Sequence, residues 1–61
     1  MKHYIEGVVP NTEITITELE GNTCIITILE DGACCDIELD FKRLYSFIGT
    51  ALHVQQKIKD R

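Results

Sequence analysis

Sixty-one residues, 44% of them apolar and only one a proline, describe a single small globular domain rather than a disordered chain. The net charge of −4 disfavours sequence-independent binding to nucleic acid, which needs Lys and Arg to neutralise phosphates, and leaves room for a basic protein partner. No apolar run approaches the ~20 residues of a membrane span, and acids interrupt the opening MKHYIEGVVPNTE where a signal peptide needs an unbroken apolar stretch, so a soluble, cytoplasmic protein is expected.

In chain order, HYIEGVV (residues 3–9) is a candidate for an extra N-terminal strand, weakened by Gly7 and by Pro10 just beyond it. TEITITEL (13–19 for the strand proper) alternates apolar and polar residues. TCIITIL (23–29) is rich in β-branched residues, and ACCDIEL (33–39) alternates again. Glu20-Gly21-Asn22 and Asp31-Gly32 separate these runs. Asp-Gly is a strong signal for a type I′ hairpin, which requires positive φ at both turn positions. That turn sets Glu30 opposite Ala33, Ile28 opposite Cys35, Ile26 opposite Ile37 and Cys24 opposite Leu39. A three-residue loop at 20–22 then sets Ile16 opposite Ile26 and Ile14 opposite Ile28. Two independent turns thus place one apolar set on one face, and a one-residue slip would destroy that agreement. The other face carries Thr15, Thr17, Ile25, Thr27, Leu29, Cys34, Asp36 and Glu38.

From Asp40 the period changes. Asp40 is a good N-cap for a helix over 41–58. At about 100° per residue, Phe41, Leu44, Ile48 and Leu52 form one apolar stripe, with Phe47, Ala51, Val54 and Ile58 beside it. Lys57, Lys59 and Arg61 suit the negative end of the helix dipole. The expected fold is therefore α+β: a three-stranded antiparallel meander, four-stranded with the N-terminal segment, packed against one C-terminal amphipathic helix lying across the Ile/Cys/Leu face.

The adjacent cysteines point to opposite faces of a regular strand. Cys35 is expected in the core with Cys24, and Cys34 on the open face. Cys24 and Cys35 would sit roughly 13 Å apart at ~3.3 Å per residue, beyond disulfide reach. Their spacing matches no zinc pattern. No metal, cofactor or catalytic site is expected: His53 falls on the polar helix face, and the acids lack a pocket or a perturbing neighbour.

Charge is unevenly distributed. Residues 1–40 carry nine acids and one base; residues 41–61 carry five bases and one acid. Glu18, Asp36 and Glu38 are candidates for contact with a basic partner. Phe47, Ala51, Val54 and Ile58 recur at helical spacing and exceed what the sheet needs, so a homodimer with each helix meeting its copy is expected. The competing arrangement has HYIEGVV folding back over that flank. The leading functional reading is a non-enzymatic protein–protein interaction module, a homodimeric regulator or inhibitor. The alternatives are a nucleic-acid-binding regulator using Lys42, Arg43, Thr50, His53, Gln56 and Lys57, and a thiol or metal protein using Cys34.

Overall fold

Strand and helix boundaries follow the residue pattern closely in the computed structural model, which describes residues 1–61. The strands are β1 (Lys2–Glu6), β2 (Thr12–Glu18), β3 (Thr23–Glu30) and β4 (Ala33–Asp40), and the helix α1 spans Phe41–Lys59. The strands form one antiparallel sheet in the order β1-β2-β3-β4. The chain is thus an α+β fold, an open four-stranded meander followed by a helix, and the N-terminal segment is a strand.

The turns set the register as expected. Asp31 (φ 47°) and Gly32 (φ 87°) both occupy the left-handed region, as a type I′ turn demands. They pair Glu30 with Ala33, Ile28 with Cys35, Ile26 with Ile37 and Cys24 with Leu39. At the other end, the Leu19 N–H donates to the Thr23 carbonyl at 3.2 Å and closes the loop 20–22. Ile16 then meets Ile26, and Ile14 meets Ile28. β1 is shorter than the sequence suggests and stops before Gly7. There the Gly7 N–H donates to the Thr12 carbonyl at 2.9 Å, and the backbone lies so close to the Thr12 side chain that a Cβ could not be accommodated without movement. β1 adds His3 opposite Ile16 and Ile5 opposite Ile14, which extends the apolar face by one strand.

The helix departs from expectation in its placement. It does not lie across its own sheet: no helical residue is buried, and its substantial packing is with β4 alone, the strand it grows from. Cys24 and Ile26 are the only buried residues, with Leu39 and Leu44 half-buried around the β4–α1 junction. The physical reason lies in the connection. Asp40 ends β4 and is also the N-cap of α1, so no residue separates strand from helix. A helix that folds back over its own strand must reverse direction, and such connections use about 2–6 residues. The radius of gyration is 12.9 Å, against about 10.5 Å for a compact chain of this length.

Candidate interaction surfaces

The apolar sheet face has three cross-strand rows: Ile5–Ile14–Ile28–Cys35, His3–Ile16–Ile26–Ile37 and, nearest the helix, Glu18–Cys24–Leu39. In a two-layer fold the middle of such a face would be covered. Here Ile28 on the central strand β3 is 44% exposed, Ile37 is 47% exposed, and Cys35 is exposed too. The expectation that Cys35 is core is therefore not met within one chain, because the helix that should cover it points elsewhere. Cys24 is buried and Cys34 exposed, as expected, and all three thiols are free.

The helix is equally open. Phe41 is 66%, Ile48 56% and Leu52 55% exposed. The flank of Phe47, Ala51, Val54 and Ile58 also stands in solvent. β1 does not cover it, since β1 is the edge strand opposite β4. A shallow groove runs between the two apolar stripes, lined by Phe47, Ile48, Ala51, Leu52 and Gln55. Gln55 borders this groove and is exposed, as is the rest of the helix beyond Leu44. Gly49 has open space where a Cβ would stand.

What holds the helix at its angle is the cap. Asp40 has extended backbone (φ −83°, ψ 178°), and its Oδ1 accepts the Arg43 backbone N–H at 2.9 Å. The Arg43 guanidinium donates to Oδ2 at 2.7 Å. The backbone hydrogen bond first, then the nearby guanidinium charge, hold the Asp40 carboxyl below the usual aspartate range. Arg43 is thereby paired within the cap while its side chain stays exposed. At the far end Lys57 and Lys59 occupy the last turn, where they suit the helix dipole.

The three candidate acids are not brought together. Glu18 lies opposite Cys24, on the apolar face, while Asp36 and Glu38 lie opposite Thr27 and Ile25 on the polar face. Glu18 Oε2 is 2.6 Å from His3 Nε2, a pair that ties β1 to the end of β2. This hydrogen bond lowers the Glu18 pKa. The partnership joins residues 15 apart and becomes legible only once β1 is known to pair with β2. Asp36 accepts the Thr27 hydroxyl at 2.7 Å. Together with Glu6 and Glu13, Asp36 and Glu38 give the polar face four carboxylates against a single base, Lys2.

At the far end of the sheet from the helix, the β1–β2 loop and the Asp31-Gly32 turn border an open depression, bridged by the Asp31 N–H donating to the Asn11 carbonyl at 3.1 Å. Its polar side chains are Glu6, Asn11, Thr12, Glu13 and Asp31, and no histidine or cysteine reaches it. No group of three or more His, Cys, Asp or Glu side chains converges to hold a metal ion. No helix is long and apolar enough to cross a membrane. Comparison with protein-family models, curated proteins and solved structures returns no match.

Proposed function

We propose that this chain is a non-enzymatic protein–protein interaction module that works as a homodimer and regulates or inhibits a basic partner protein in the cytoplasm. The observation that carries the reading is the surface the chain leaves exposed. It amounts to 5393 Å², where a compact monomer of this mass exposes about 4,000 Å². The excess of about 1,400 Å² per chain, doubled, falls within the roughly 2,000–5,000 Å² of permanent homodimers. Much of the chain's apolar surface is part of it: Ile5, Ile28 and Ile37 on the sheet, and Phe41, Ile48 and Leu52 on the helix. Contiguous apolar patches of this kind mark interfaces. Two buried residues also make too small a core for stability, and a bound partner supplies what is missing. Three free thiols suit a reducing compartment.

With the apolar surfaces engaged in the dimer, the polar sheet face is left for the partner. Its surplus of carboxylates favours basic residues opposite it. Light scattering at micromolar concentration tests the first half: a mass of twice 6.9 kDa is expected, and a single-chain mass overturns the reading. For the second half, the double variant Asp36→Lys, Glu38→Lys is expected to remain dimeric while losing capture of a basic protein from lysate. Unchanged capture overturns the assignment of that face.

A further inference from the structure

We propose that the homodimer is a reciprocal exchange of helices, in which α1 of each protomer lies across the apolar sheet face of the other. The inference rests on the homodimer reading above and goes beyond it by saying which surface covers which.

Four observations carry it. The first is the connection between β4 and α1. With Asp40 serving as both last strand residue and N-cap, the helix has no residues with which to turn back over its own sheet. The two Arg43 hydrogen bonds to the Asp40 carboxylate hold the exit direction. A short hinge that prevents an element from reaching its own docking site, while leaving that site open, favours exchange of the element between two copies.

The second is fit. The exposed sheet face and the exposed stripe of Phe41, Ile48 and Leu52 are each unpartnered in one chain. A 19-residue helix is about 28 Å long at 1.5 Å per residue. An eight-residue strand is about 26 Å long at 3.3 Å per residue, so the helix spans the sheet along its strands.

The third is charge. The strand half has nine acids and one base, whereas the helix half has five bases and one acid. Glu18 and Glu30 stand at opposite ends of the apolar face, on the same side as its isoleucines. Lys59 falls on the Phe41 side of the helix and is therefore attracted to that face, whereas sheet-to-sheet stacking would bring like charges together.

The fourth is area. Face-to-helix burial occurring twice accounts for the excess surface at the scale of a permanent dimer, whereas a seam of Phe47, Ala51, Val54 and Ile58 alone would leave Ile5, Ile28 and Ile37 in solvent. In the exchanged dimer that seam lies on the adjacent flank of the helix, about 100° away around its axis, and remains available for the two helices to meet.

The test uses the unmodified chain. Isotope-labelled and unlabelled protein are mixed after unfolding and refolding, and NMR contacts are filtered for those crossing between chains. Contacts between the side chains of Ile48 or Leu52 and those of Ile28 or Ile37 are expected across chains. The same contacts within one labelled chain overturn the exchange. A dimer that lacks helix-to-sheet contacts of either kind overturns the exchange and leaves the homodimer standing, whereas a single-chain mass overturns both. A second, covalent readout uses Ile48→Cys in a Cys34→Ser background. Mild oxidation is expected to join Cys35 of one chain to position 48 of the other, giving a dimer band on a denaturing, non-reducing gel and a cross-linked peptide in mass spectrometry. An intramolecular bridge, or a bridge between the two engineered positions alone, overturns it.

Discussion

The β3–β4 and β4–α1 connections are eight residues apart in the chain and behave oppositely. At Asp31-Gly32 two residues with positive φ reverse the chain, and β4 returns alongside β3. At Asp40-Phe41 there are no spare residues, and the helix leaves the sheet without covering it. Both connections begin at an aspartate, Asp31 before a turn glycine and Asp40 before the first residue of the helix. Gly32 tolerates the left-handed conformation that closes a hairpin. Phe41 is already helical, and Asp40 spends its carboxylate on the Arg43 backbone. Whether two surfaces of one chain can meet is decided at the hinge as much as by their complementarity.

The largest effect is expected from giving the second connection what the first possesses. Insertion of about four Gly/Ser residues between Asp40 and Phe41 lengthens the hinge into the range of ordinary connections. The helix can then reach its own sheet, and the light-scattering mass is expected to fall to that of one chain. A variant that remains dimeric would show that the hinge does not dictate the exchange.

Removing the turn's freedom is the converse experiment. Gly32 sits at φ 87° with open space where a Cβ would stand, so Gly32→Val costs only conformation. For a non-glycine residue the left-handed region costs roughly 1–2 kcal/mol, and β-branching raises the cost. Chemical denaturation should show a lower midpoint at unchanged slope, with the unfolding free energy reduced by about that amount. Gly49→Ala, in open space on the helix, should be neutral or stabilising by comparison, and equal loss at both positions would contradict the turn assignment.

A smaller effect is expected at the cap. The Asp40 pKa is depressed from its ordinary value of 3.8, chiefly by the Arg43 backbone N–H. Its contribution to stability is therefore complete above that ordinary value and is lost as the pH falls through the lower folded-state one. Asp40→Ala should melt earlier than the wild type at neutral pH. The gap should close in acid, below the lowered folded-state pKa, where the carboxylate of the wild type is protonated as well. A gap independent of pH, in thermal melts followed by circular dichroism, would mean that the carboxylate is not what caps the helix.

Much of this was legible in the residues. The register of β2, β3 and β4 follows from two turns and one apolar set, because a one-residue slip would move Ile14, Ile16, Ile26, Ile28 and Ile37 to opposite faces and the turn lengths fix the rest. The helix start at Phe41 was readable from Asp40. The N-terminal strand was harder to read, since Gly7 weakens the propensity of HYIEGVV. The strand's existence depends on pairing with β2 and on the contact between His3 and Glu18, neither of which is local. The candidate acids divided between two faces for the same reason. Glu18 follows the alternation of β2, whereas Asp36 and Glu38 follow that of β4, and only the register relates the two.

The misplaced element was the helix. Its amphipathic pattern and the apolar face of the sheet match each other, and that match says nothing about which copy of each surface will meet. The sequence by itself determined the local elements, their turns and their apolar faces, because these depend on backbone preferences and on side-chain periods of 2 and 3.6. The tertiary structure alone decided that the faces remain apart within one chain, because that depends on the direction in which a capped strand end releases its helix. An undivided junction at Asp40 has no torsional freedom to spare for reversing it.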